Sequence, residues 1–212
     1  MTGRRSRLAT WYEEHVLAGI IDGAMGGVEG IRAGLLPQAA GRVCEIGFGT
    51  GANLPHYGDE VSSLVAVEPS EGLARVARRR LEAWGRPFEL IEMSGSRRLP
   101  IDDASVDVAV LTFVLCSVKR IPELLAEVRR ILRPAGPLLV AEHVVAGTPG
   151  HAAAQRALRP IWKACLGGCD PARDTRAHLE AAGFDTAGLV DFDLGLPWVV
   201  RPGLVGVARA PG

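Results

Sequence analysis

The sequence predicts an α/β fold: a seven-stranded, mostly parallel sheet with helices on both faces and an antiparallel last strand. Three observations carry this expectation. Apolar, strand-like runs alternate with helix-like segments from residue 41 to residue 144, the pattern of βαβ units. A glycine-rich turn, "CEIGFGTGANLPHY" at 44–57, follows the first run, where open parallel sheets bind ligands. Two late runs, 184–193 and 203–210, have no helix between them and must pair antiparallel, because a parallel pair needs a crossover.

Residues 9–22 read as a helix with Trp11, Val16 and Ile20 on one side, and 27–36 as a second short helix before Pro37. "GRVCEIG" (41–47) is nearly continuous in apolar residues, as in a strand buried on both faces, and "SSLVAVEP" (62–69) repeats the pattern. "SEGLARVARRRLEAWG" (70–85) follows as a helix, with Ser70 as N-cap and Gly85 just past its end. "FELIEM" (88–93) and "SVDVAVLTFVL" (105–115) are the third and fourth strands. "IPELLAEVRRILRPAG" (121–136) is a helix with proline near its start and a Pro-Ala-Gly stop. "PLLVAEHV" (137–144) is the fifth strand, and helical stretches follow at about 150–166 and 171–182.

The 212 residues fit one domain, and 48% hydrophobic residues suffice for a sizeable core. Lys plus Arg balance Asp plus Glu, so no broad basic footprint exists and no nucleic-acid partner is expected. The clusters Arg4–Arg5–Arg7 and Arg78–Arg79–Arg80 read as an N-terminal tail and a solvated helix face. No run reaches the roughly 18 apolar residues of a membrane span. "ATWYEEHVLAGIID" is broken by Glu13, Glu14 and His15, so neither a secretory segment nor a firm membrane anchor is read, and the default location is the cytoplasm. The sequence sets no oligomeric state. Cys44 and Cys116 fall in apolar runs and read as buried hydrophobes. Cys165 and Cys169 alone supply half of a structural zinc site and His178 has no partner at ligand spacing, so no metal is expected.

The turn at 44–57 admits two ligands. It holds G-x-G-x-x-A (Gly47, Gly49, Ala52) and also E-x-G-x-G-x-G (Glu45, Gly47, Gly49, Gly51). Glycines there let backbone approach a ligand, and a helix beginning near Asn53 is expected to aim free N–H groups at it. A pyrophosphate or the carboxylate of an S-adenosylmethionine (SAM) tail satisfies such a loop equally. Glu68, seventeen residues after Gly51 at the end of the second strand, can accept hydrogen bonds from both hydroxyls of either ribose. Three later features favour SAM: the turn at 94–96, a fourth strand ending "TFVLCSV" without a dehydrogenase's tyrosine and lysine, and "EVRRILRPAGPLLVAEHV".

This succession resembles the class I SAM-dependent methyltransferases, a Rossmann-like fold, over about residues 40–210. "LRPAGPLLV" is similar to their L-R-P-G-G-x-L stretch and "SVDVAV" to their S-x-D-x-V strand. "VLCSVKR", "RPIWKACLGGCD" and "PWVVRPGLVGVA" are similar to the methyltransferase-like seven family, whose animal members are alkyl-thiol S-methyltransferases. The animal members carry an N-terminal hydrophobic anchor and no convincing one is read here; the sequence departs further in Phe48, in Glu68 for Asp, and in Gly95-Ser96-Arg97 where an acidic residue is usual. The resemblance divides the chain into an N-terminal helical lid (1–38), a SAM-binding core (39–145) and an acceptor-side region (146–212).

The resemblance implies that SAM, released as S-adenosylhomocysteine, contacts Glu45, Gly47, Phe48, Gly49, Thr50, Gly51 and Asn53 of the loop. It also implies contacts with Glu68, Pro69 and Ser70 after the second strand, Gly95 and Ser96 after the third, and Thr112 and Leu115 of the fourth. The acceptor pocket of this architecture opens beyond strands four and five, where Cys116, Glu142 and His143 stand. His143 is either a proton acceptor that favours a thiolate or a hydrogen-bonded wall residue. Tyr12 with Trp11 and His15 can cover the cofactor, and Trp162, Asp170 and Trp198 can line the acceptor side. Arg201 can hold an anionic acceptor or a thiolate, or lie on the surface. His56 and Tyr57 can reach the methionine end or the acceptor.

The function expected is methyl transfer to a small, rather apolar acceptor, with a thiol first. O-, N- or C-methylation of a natural product, quinone or lipid head group is the rival within enzymes. A SAM-binding module without catalysis is the rival from another class.

Overall fold

The computed structural model describes residues 7–165 and 168–212. Its sheet has seven strands: β1 (Gly41–Ile46), β2 (Val61–Val67), β3 (Phe88–Ile91), β4 (Val108–Thr112), β5 (Pro137–His143), β6 (Leu189–Asp193) and β7 (Pro202–Arg209). Their order is β3-β2-β1-β4-β5-β7-β6. The first five run parallel, and β7 is antiparallel to both β5 and β6. The chain leaves β1 for β2 on one side and comes back to β4 on the other. That reversal opens a crevice at the carboxyl ends of β1 and β4.

The expected strands form because their runs are buried on both faces: Val43, Cys44, Glu45 and Ile46 of β1 are all buried, as are the last four residues of β2. One apolar layer packs the helix α5 (Ile121–Ile131) against Ile46, Val67, Leu111 and Val140. The other face buries Val43, Leu64, Val110 and Leu139 beneath α4 (Glu71–Trp84) and the loop residues Phe48, Leu54 and Tyr57. The final helices are α6 (Pro149–Cys165), with Pro160 in its interior, and α7 (Thr175–Ala181).

The N-terminal segment is broken into α1 (Arg7–Tyr12), a π-helical turn (Glu13–Leu17), α2 (Ala18–Met25) and α3 (Glu29–Leu35). It docks on α4 through a small apolar cluster, Ala18 with Leu73 and Val76, and through charge. Glu14 pairs with Arg79 at 2.7 Å and Asp22 with Arg80 at 2.6 Å, while Arg78 pairs with Glu92. The arginine cluster of α4 is therefore not a purely solvated face; two of its three guanidiniums carry the N-terminal helices. Arg4 and Arg5 lie outside the described residues, as do the side chains of Arg7, Ile20 and Cys165. No described helix is long and apolar enough to cross a membrane.

Ser70 caps α4 by accepting from Leu73 N at 3.2 Å and donates its hydroxyl to Glu13 Oε2 at 2.8 Å. Ser70→Ala removes both bonds, and loss of the cap alone costs about 1 kcal/mol. Urea unfolding should show a lowered midpoint with an unchanged m-value.

Candidate active site

The glycine turn is held at its root by backbone bonds from Gly47 N and Phe48 N to Val67 O. Gly47 has φ +76°, and a β-carbon there would overlap Val114 Cγ2 from the loop after β4. The close approach of two loops therefore needs glycine at 47. Gly49, at φ +59°, is different: a β-carbon built on it meets only Gly47 O at 4.0 Å, so the space over it is open. Phe48 turns its ring inward and is 3% exposed, in the apolar layer below the loop.

Glu68 stitches the turn to β2. Its Oε2 accepts from Gly49 N and its Oε1 from Ser70 N, each at 2.8 Å. Pro69 beside it is exposed.

The expected helix at Asn53 is absent. Leu54–His56 form a single 3-10 turn containing Pro55, and only four residues separate it from β2. Too little chain lies between the strands for a helix, so no helix N-terminus faces the ligand space here. Asn53 instead points into the protein. Its Nδ2 donates to Glu45 Oε1 and to Thr112 Oγ1, and its Oδ1 accepts from Arg32 Nε, all at 2.9 Å. Tyr57 donates its hydroxyl to Glu45 Oε2 at 2.6 Å, and His56 lies toward Glu29. Burial pushes the Glu45 carboxyl up to about 8, against the bonds from Tyr57 and Asn53. Glu45, Asn53, Thr112 and Tyr57 thus form a buried network under the turn. Thr50 is tied outward, donating to Asp22 Oδ1 at 2.5 Å.

After β3, Gly95 packs against Ile46 so closely that a β-carbon would overlap Ile46 Cγ2. Ser96 donates its hydroxyl to Arg120 O at 3.1 Å. The 94–97 turn therefore borders the end of β1, on the same crevice as the glycine turn.

The loop after β4 is built by one buried carboxylate. Phe113 takes φ +57°, a left-handed conformation a phenylalanine adopts only under external constraint. The turn it makes aims Val114 N and Leu115 N at Glu142 Oε1 (2.6 and 2.7 Å) and Cys116 N at Oε2 (3.4 Å). Glu142 is fully buried, and burial raises it to about 7 although these amides hold it down.

Beside this loop stand three ligand-type atoms within 4.8 Å of one another: Cys116 Sγ, His143 Nε2 and Cys169 Sγ. His143 Nε2 is 3.0 Å from Cys169 Sγ, and Trp162 Nε1 donates to the same sulfur at 3.2 Å. Cys169 is held well below the ordinary thiol range, first by its hydrogen bond with Cys116 and then by His143 and Trp162. Cys116 is pushed up by the same bond and by burial. Backbone keeps the two cysteines adjacent, because Asp170 N donates to Cys116 O at 2.9 Å. Asp170 is itself 1% exposed and anchored by Arg159 at 2.6 Å.

Cys116, Trp162 and His143, named as acceptor-side candidates, are thus brought together. Cys169 joins them; the sequence shows it only as half of a pair with Cys165. Nothing local marks it, since its partners lie on other elements. Other candidates lie elsewhere. Tyr12 is exposed on α1, Trp198 stacks on His151 at 4.0 Å, and Arg201 lies beside Asp193 and Leu196 O on the surface. Arg201 is drawn outward by that carboxylate and carbonyl. Trp11 stacks on His15 rather than over the crevice.

Gly47→Ala should lower stability, because the added β-carbon overlaps Val114, and thermal unfolding should show a lowered midpoint. For Glu45 the folded pKa exceeds the unfolded one, so its contribution is complete below about pH 4.5 and lost as pH rises through about 8. Wild type should therefore lose stability relative to Glu45→Gln between pH 5 and 8 in urea titrations.

The family described as a methyltransferase domain matches residues 44–140, from β1 through β5. The human thiol S-methyltransferase TMT1A is 33% identical over 176 residues, 81% of this chain and 72% of that protein. Human TMT1B is 34% identical over 180 residues, 82% of this chain and 73% of its own length. The [4+2]-cyclase SpnF shares the fold, with TM-score 0.70 and 17% identity over 96% of this chain and 95% of that one. The chain is a class I methyltransferase, and it belongs to the family that includes human TMT1A and TMT1B.

Proposed function

We propose that this methyltransferase methylates the sulfur of a small, rather apolar thiol. Membership of the family implies SAM as donor. The residues at the turn fit that group: Gly49 leaves open space, and the buried Glu68 carboxylate stands beside it, a group to which ribose hydroxyls can donate. When bound, SAM supplies a methyl already activated by its sulfonium, which leaves the protein mainly a task of alignment. In this reading Gly47, Gly49 and Gly51 give backbone access, and Gly95 keeps the adenine side close to β1. Glu45, Asn53 and Thr112 support the turn from below rather than touching the ligand.

The observation that carries the acceptor assignment is the group Cys116, His143, Cys169 and Trp162 at the carboxyl ends of β4 and β5. Val114, which packs on Gly47, and Cys116 belong to one loop, so the cofactor turn and the sulfur-rich wall meet there. Soft, polarisable groups and an imidazole suit a sulfur acceptor better than a hydroxyl or amine. The relatives named thiol S-methyltransferases support the same choice. SpnF, a cyclase on this fold, shows that the fold alone would not. His143 works through its neighbour here: Nε2 faces Cys169, and Nδ1 is buried.

An acceptor screen with labelled SAM should show turnover of small alkyl thiols and none of matched alcohols or amines. Methylation confined to hydroxyl, amine or carbon acceptors would overturn the proposal, as would SAM binding with no turnover of any acceptor. Glu68→Ala should weaken S-adenosylhomocysteine binding at least ~10-fold, about 1.4 kcal/mol. Unchanged affinity would mean that the cofactor site is misplaced.

A further inference from the structure

We propose that Cys116, His143 and Cys169 form a zinc site whose fourth position is open to the acceptor thiol. The three donors come from separate elements: the loop after β4, the last residue of β5 and the segment after α6. All three atoms lie within 4.8 Å of one another. Tetrahedral zinc with bonds of about 2.0–2.3 Å needs its ligands about 3.4–3.8 Å apart, so the group requires only small adjustment to close on an ion.

The surroundings are those of a built site. Cys116 is fixed by its amide on Glu142 and by its carbonyl, which accepts from Asp170 N and Arg173 Nη2. Asp170, next to Cys169, is gripped by Arg159. The Trp162 indole donates to the Cys169 sulfur, as groups around a metal-bound thiolate commonly do. His143 is 5% exposed and turns Nε2 to Cys169.

The donor set selects the ion. Two sulfurs and one imidazole, with no ligating carboxylate, suit a borderline-soft metal and exclude magnesium or calcium on ligand type. Three protein ligands are the number found where zinc keeps a position for water or substrate. A thiol entering that position forms a sulfur–zinc bond and releases its proton to solvent, and it is thereby held as thiolate. This last step rests on the thiol-acceptor reading, whereas metal binding itself does not.

The full chain, reduced and dialysed against Zn²⁺, should retain one zinc per chain. Loaded with Co²⁺ instead, it should show the thiolate-to-cobalt band and the intense visible bands of tetrahedral coordination. Cys116→Ser and Cys169→Ser should each lower zinc affinity at least ~100-fold while circular dichroism stays native. Cys44→Ala, which alters a sulfur buried in β1 away from the group, should leave it unchanged. Ethanethiol should shift the cobalt spectrum. Absence of stoichiometric metal, equal affinity in the serine variants, or a Cys116–Cys169 disulfide in its place would overturn the site. Metal binding without a spectral shift would overturn the open position. Failure of the acceptor reading is seen separately: zinc retained without thiol methylation sinks that reading, and thiol methylation by metal-free protein overturns the thiol step at the open position.

Discussion

Much of the active region depends on one buried carboxylate. Glu142 has no exposed surface, so its oxygens must be satisfied from within, and three successive amides of the loop after β4 do this. That requirement forces the left-handed turn at Phe113, which no phenylalanine adopts by preference. The turn in turn sets Val114 over Gly47 and Cys116 beside Cys169. Without it the loop would have no reason to bridge the glycine turn and the sulfur wall. Strain at Phe113 is thus balanced by bonds to a group that cannot be left unpaired.

Two further buried polar groups extend this logic outward. Glu45 collects Asn53 and Tyr57, which compensates for the missing helix by anchoring the short 53–60 segment from below. Glu68 ties the top of the same turn to the start of α4. The N-terminal helices are attached by different means, mostly part-exposed ion pairs such as Glu14–Arg79 and Asp22–Arg80. Such pairs are worth about 0–1 kcal/mol each, and the buried cluster of Ala18, Leu73 and Val76 adds apolar contact to them. The bonds of Thr50 to Asp22 and of Ser70 to Glu13 couple the position of these helices to the glycine turn.

The strands, α4 with both of its caps, α5 and the antiparallel closing pair were legible because each is encoded within one short window. An apolar run, a serine before a helix or a glycine after it acts on its own neighbours. The glycine turn and Glu68 were legible for the same reason. The helix at Asn53 was not, because strand ends set by pairing with β1 left no chain for it. Tyr12, Trp198 and Arg201 were candidates by residue type alone, and local partners decided where they face: His151 stacks on Trp198, and Asp193 draws Arg201 outward.

The sequence by itself determined the sheet, its parallel sense and the position of the glycine turn, since burial period and turn chemistry are properties of consecutive residues. Tertiary structure alone decided that Cys169 meets His143 and Cys116, that Glu142 organises a loop, and that Asn53 points inward. These are contacts across the fold between side chains that share no local pattern. They arise because buried donors and acceptors must find partners wherever the packed strands and helices bring them.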